Sequence, residues 1–70
     1  MTQHERIMKY LDDFGSISTM EAFRDLGITK LSTRISEMIR DGEKIRKTPE
    51  TRLNRYGEKV TYVRYARAVG

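Results

Sequence analysis

Glycine and paired capping residues divide the first 42 residues of this 70-residue chain into three short segments. Thr2-Gln3-His4-Glu5 and Ser18-Thr19-Met20-Glu21 each place a hydroxyl three residues before a carboxylate. At that spacing the two groups reciprocally satisfy amides left open at a helix start. Gly15, Gly27 and Gly42 follow as stops, because glycine takes the left-handed conformation that ends a helix without a Cβ penalty. Thr29 is expected to cap the third segment. Helices are therefore predicted over residues 3–14, 19–26 and 30–41.

Each segment carries one apolar stripe at helical spacing. Ile7, Tyr10, Leu11 and Phe14 form the first, with Lys9, Asp12 and Asp13 opposite. Ala22, Phe23 and Leu26 form the second, and Leu31, Ile35, Met38 and Ile39 the third. Tyr10, Phe14 and Phe23 read as core aromatics. Asp12 and Asp13 stand at the helix end where the dipole disfavours negative charge. Ser16-Ile17 is long enough only for an extended connector or a two-residue strand, and Ile28-Thr29 completes a tight turn after Gly27.

From Lys44 the pattern changes to β-prone residues. Strands are expected over 44–53 and 59–66, joined through Asn54-Arg55-Tyr56-Gly57, where Gly57 can take the positive φ of a hairpin loop. Pro49 has no N–H for a ladder, so the first strand is interrupted or lies at an edge. Val63 and Tyr65 are placed inward in the second strand, and residues 67–70 are expected to fray. The sum is one α+β domain over residues 1–70, three helices followed by a β-hairpin.

The chain has no cysteine, which removes disulfides and thiolate zinc sites and fits a reducing compartment. At this length one apolar core is near its lower limit, so modest stability or a partner is expected. No stretch resembles a secretory leader or a bilayer span, so the expectation is a soluble cytoplasmic protein without membrane contact. The single histidine, His4, lacks cysteine or histidine neighbours for a metal and reads as an exposed first-turn residue. Asp12 and Asp13, adjacent on a helix, point apart and cannot share a substrate. With no nucleophile elbow, phosphate loop or serine–histidine pairing, neither an enzyme nor a cofactor is expected.

Charge is divided along the chain. Residues 1–29 carry three basic side chains against five acidic, and residues 30–70 carry eleven against five. An acidic front and basic back is the distribution expected of a surface that faces a polyanion. Two short helices joined through a glycine turn also form the helix-turn-helix unit, whose second helix enters the major groove. With Leu31, Ile35 and Met38 facing inward, Lys30, Thr33, Glu37 and Arg40 fall on the opposite arc, flanked by Ser32, Arg34 and Ser36. Small hydroxyls allow close approach, Glu37 suits a cytosine amino group, and Lys30 or Arg40 suits guanine or phosphate. Thr29 joins this candidate set from the turn. The hairpin tip adds Arg52, Asn54, Arg55, Tyr56 and Lys59, a basic loop suited to a phosphate backbone or a minor groove. Tyr56 and Tyr62 are placed to stack on bases or pack against a partner.

Ser16-Ile17-Ser18, Ala22, Leu26-Gly27-Ile28, Lys30 through Ile35, Arg40-Asp41-Gly42 and Asn54 through Gly57 together resemble the small winged-helix proteins of bacteriophages and integrative mobile elements. The resemblance covers about residues 2–66. It implies a winged helix-turn-helix fold with residues 31–41 as reader and 54–57 as wing tip, and Pro49 departs from it. It also implies a double-stranded DNA partner, in transcription regulation or as an excisionase-like recombination accessory. A single reader helix is expected to work as a homodimer on paired half-sites or by cooperative assembly along DNA. The alternative is a protein-interaction module whose basic face docks an acidic protein partner.

Overall fold

The capping boxes and glycine stops set the helices where their chemistry predicts. In the computed structural model, which describes residues 1–68, α1 spans Gln3–Phe14, with the Thr2 hydroxyl accepting from the Glu5 amide and the Glu5 carboxylate accepting from the Thr2 amide. A two-residue strand, β1, follows at Ile17–Ser18. Ser18 and Glu21 form the second capping box, opening α2, which runs as Thr19–Glu21 and continues as a π-helical turn over Ala22–Leu26. Then come α3 (Leu31–Arg40), β2 (Ile45–Leu53) and β3 (Lys59–Arg67).

The extra residue in the π turn decides the end of α2. Gly27, at φ +69°, donates its N–H to both the Ala22 and Phe23 carbonyls, and Ile28 N–H reaches back to Ala22 at 3.1 Å. A left-handed residue is required there to turn the chain, and only glycine adopts it freely. In this turn Ala22 is fully buried and Leu26 packs at the core margin, while Phe23 falls outside the buried stripe and is 59% exposed. Phe23 is thus not a core aromatic. Phe14 is not one either: at 70% exposure it lies past the last buried turn of α1 and leans on Tyr10, ring centroids 4.6 Å apart. Ile39, on the flank of α3, is likewise exposed.

The core is built from Ile7, Ile17, Ile28, Leu31, Ile35 and Met38, all fully buried, with Tyr10, Leu11, Ala22 and Tyr65 around them and Met8, Leu26 and Ile45 at its margin. Tyr10 turns its hydroxyl outward to donate to Asp25 at 2.7 Å, fastening α1 to α2. Thr29 does not cap α3. Lys30 occupies the N-cap position with no side-chain bond to the helix, so the helix starts one residue later than expected. It ends by Glu43 N–H donating to Met38 and Gly42 N–H to Ile39.

The sheet is antiparallel throughout, in the order β1-β3-β2, so residues 17 and 18 turn the expected hairpin into three strands. Ile17 stands opposite Tyr65 and Ser18 opposite Arg64, and β2 pairs with β3 from Ile45↔Arg67 to Leu53↔Lys59. The strand continues without interruption through Pro49, and the ladder explains why. Asn54 N–H bonds Glu58 at the tip and Ala68 N–H bonds Lys44 at the base. Bonded and non-bonded pairs alternate, so even-numbered residues of β2 bond to β3, and Pro49 aims its missing donor at the open edge. A proline there also weakens an edge that would otherwise invite another strand. Of the two residues expected inward, Tyr65 is buried and Val63 is exposed, because β3 runs from the hairpin tip and meets the core strand only at Arg64 and Tyr65. Arg67 is the last residue of the strand rather than frayed; residues 69 and 70 lie outside the described chain.

Ile35→Ala is expected to lower stability by about 2–5 kcal/mol, and Phe23→Ala by about 0.5 kcal/mol or less. Urea unfolding of the two variants checks this, and equal losses would contradict the core described above.

Candidate nucleic-acid interface

The outer surface of α3 is made of short polar side chains. With Leu31, Ile35 and Met38 buried, Ser32, Thr33, Ser36 and Arg40 are exposed, and Thr29 and Lys30 are exposed just before them. No side chain caps the helix start, leaving its first-turn amides open to solvent or to an anion. Serine and threonine hold a helix close to whatever it faces, since they add little height to the backbone.

Glu37 and Arg34 are arranged differently from the expected outer arc and flank. The Glu37 carboxylate turns toward the start of α1, where His4 Nε2 lies 3.0 Å from Oε1 and Arg34 donates to the same oxygen at 2.8 Å. The hydrogen bond to His4, reinforced by Arg34, holds the Glu37 carboxyl below its ordinary range. His4 is therefore half-buried against α3 rather than exposed, and Arg34 keeps its Nε buried with no hydrogen-bond partner. The cause is proximity: α1 and α3 pack together, and residue 37 faces the start of α1 across that contact. Sequence spacing cannot reveal a partner 33 positions away.

At the hairpin tip, Asn54 builds the turn. Its Oδ1 accepts from the Tyr56 and Glu58 amides at 2.9 and 3.0 Å, and its Nδ2 donates to Glu58. Gly57, at φ +77°, completes the loop. Asn54 is consequently occupied by the chain itself, while Arg55 and Tyr56 project outward, Tyr56 at 83% exposure. Arg52 is drawn to Glu50 at 2.7 Å.

Glu50 belongs to a larger network at the base of the hairpin. Arg64 Nε donates to Glu50 at 2.7 Å, while its terminal nitrogen donates to Glu21 at 2.9 Å and to Ser16 at 3.1 Å. Bonds from Arg64 and then Arg52 hold the Glu50 carboxyl below its usual range. At Glu21 partial burial pushes upward, but the Ser18 amide and Arg64 outweigh it and the net shift is down. Arg64 is raised correspondingly by Glu50 and Glu21. The two aspartates that end α1 are also matched, Asp12 to Arg67 at 3.0 Å and Asp13 to Lys9 at 3.5 Å, which offsets their place against the dipole.

Among the described residues these pairs leave more cations than carboxylates without an ion pair, the unpaired acids being Glu5, Asp41, Glu43 and Glu58. Among the described residues, Arg6, Lys30, Arg40, Lys44, Arg46, Lys47, Arg55 and Lys59 make no ion pair, and all but Arg6 lie at α3, on the hairpin or in the link between them. Lys44, Arg46 and Lys47 are absent from the expected set. Their signal in the sequence is a cluster of cations just before Pro49 on a strand with few apolar residues to bury it. Among the described residues no group of three histidine, cysteine, aspartate or glutamate side chains is placed to hold a metal, and no helix is long and apolar enough to cross a membrane.

The family model of the winged helix-turn-helix domain matches residues 2–68, and the chain belongs to that family. Searches among curated proteins and among solved structures each found no match.

Because Glu21 and Glu50 titrate lower folded than unfolded, the stability they contribute is present above the ordinary glutamate value of 4.5 and is lost as the pH falls through their lower folded values. Arg64→Met should therefore melt at a lower temperature at neutral pH and lose less on acidification than the parent. Thermal unfolding followed by circular dichroism across the acid range checks this; parallel curves for the two proteins would dismiss the network as a stabilising element.

Proposed function

We propose that this winged helix-turn-helix protein binds double-stranded DNA in a sequence-specific manner, with α3 in the major groove and the hairpin gripping the backbone beside it. The observation that carries this reading is the pairing of an acid-free, small-residue outer face on α3 with unneutralised cations on the same helix and the hairpin. Thr33, Ser36 and Arg40 are the assigned base readers, with Ser32 beside them, and Thr29, Lys30, Arg55 and Lys59 are assigned to the phosphates. Arg34 and Glu37 support the reader by fixing α3 against α1. Arg52 and Asn54 support the wing, and Tyr56 is its projecting tip.

The role most consistent with this winged helix-turn-helix domain is that of a transcription regulator or a recombination accessory protein, acting without catalysis of its own. One reader helix spans few base pairs, so useful specificity calls for two copies on paired half-sites or cooperative assembly along the duplex.

Selection of bound duplexes from a random pool at near-physiological salt tests the assignment. A motif should emerge. Thr33→Ala with Ser36→Ala should alter or flatten it, at about 1–3 kcal/mol for each base no longer read. Arg55→Ala with Lys59→Ala should keep the motif, weaken all sequences alike, and reduce the salt slope by about one for each phosphate no longer neutralised. If no motif emerged and modest salt abolished binding, the same basic face would instead be assigned to an acidic protein partner.

A further inference from the structure

The two faces of the hairpin differ chemically, and the difference follows from its register. Paired residues share a face. Tyr65 is buried in the core, so the pairs in step with it, Lys47↔Tyr65, Pro49↔Val63, Thr51↔Thr61 and Leu53↔Lys59, continue the core-facing side of the sheet outward. The alternating pairs, Arg46↔Ala66, Thr48↔Arg64, Glu50↔Tyr62 and Arg52↔Val60, form the outer face. That outer face holds Glu50 and is closed over by the Glu21–Arg64–Glu50–Arg52 network. The inner face of β2 and β3 carries no carboxylate. It instead exposes Leu53 (66%) and Val63 beside Pro49, with the unpaired cations Lys47 and Lys59 among them.

We propose that the inner face of the hairpin is the one that meets the duplex, with Leu53 and Val63 packed against the deoxyribose walls of the minor groove and Lys47 and Lys59 on the flanking phosphates. This rests on the DNA reading above and adds which face and which residues touch the duplex. Charge complementarity selects the occupant. A phosphate chain brought to the outer face would meet the Glu50 carboxylate and find Arg46 unpaired but Arg52 and Arg64 already engaged, whereas the inner face of the two strands offers only cations, hydroxyls and apolar surface. Sugar edges lining a minor groove are the apolar part of DNA, and aliphatic side chains are the usual wedge into that groove. Leu53 adjoins the turn that Asn54 holds in shape, so it enters without a further ordering cost at the tip.

Two charge-matched variants on one strand test the assignment. Thr51→Asp places a carboxylate on the inner face and Thr48→Asp places one on the outer face, both at exposed positions. Binding is read as fluorescence anisotropy of a labelled mixed-sequence duplex, with each variant checked by thermal unfolding. Thr51→Asp should weaken binding by about tenfold or more, and Thr48→Asp by less than about threefold. Leu53→Gln, which alters no charge and keeps the side chain's length, should weaken binding several-fold while leaving the salt slope unchanged. It decides the matter if Thr51→Asp fails to fold. Equal losses for the two aspartate variants, or an unaffected Leu53→Gln, overturn the proposal. So does disruption by Thr51→Asp of self-association in a protein whose DNA affinity is unchanged, which would give this face to a second copy. If the parent chain binds no duplex, the DNA reading fails and the face assignment falls with it.

Discussion

Ile17 opposite Tyr65 is the joint on which the rest of the structure depends. The helices and the hairpin meet in a strand only two residues long, and both residues do double duty. Ile17 is fully buried in the core that the helices form. Ser18 pairs with Arg64 and also caps α2, while Arg64 itself bonds Ser16 and Glu21. The start of α2, the entry to the sheet and the root of the hairpin are therefore set by one cluster of contacts between residues some 48 positions apart. A hairpin alone in water is marginal at best. Here its base is anchored to the core, and its far half projects with only its own ladder and the Asn54 turn to shape it.

The same cluster explains how a chain of modest net charge presents a strongly basic surface. Carboxylates on the first two helices are matched by nearby cations: Asp13 by Lys9, Asp25 by Arg24, Asp12 by Arg67 and Glu21 by Arg64. Most of these pairs are exposed and add little stability individually. Their consequence is spatial. They engage the acids of α2, most of those of α1 and Glu50 on the outer side of the hairpin, and leave α3, the link and the hairpin with more unpaired cations than the three unpaired acids there, Asp41, Glu43 and Glu58.

Local chemistry is the legible part of the sequence. Thr2 and Ser18 with their glutamates, and the glycines after each helix, place α1, α2 and α3 to within a residue, because a cap depends on atoms within four positions of it. Pro49 signals an edge strand for an equally local reason. Side chains whose fate depends on distant packing are not legible in this way. Phe14 and Phe23 continue apolar stripes but lie beyond the buried turn of one helix and outside the widened turn of another. Glu37, Arg34 and Arg52 have the composition of an interface, yet each is held by a protein partner. Asn54 looks like a recognition residue and is the framework of its own loop. Lys44, Arg46 and Lys47 have no local signature beyond charge; what sets them apart is that none of them makes an ion pair, which only the folded arrangement of the acids decides.

The pinning of Glu37 bears on what kind of reader α3 makes. A free glutamate on the outer arc would repel phosphates and favour cytosine, giving the helix one strong chemical preference. Held by His4 and Arg34, it instead locks the orientation of α3 against α1 and leaves hydroxyls and Arg40 to face outward. Hydroxyls bond several bases with modest discrimination, so a helix furnished this way relies on close shape fit and on contacts made elsewhere. Under the proposed function the hairpin supplies the rest of the surface: its cations would add affinity that is the same for every sequence, and its aliphatic inner face would respond to groove width. On this account specificity is shared between a reader that approaches closely and a wing that senses the shape of the duplex, a division that suits a domain built on one small core.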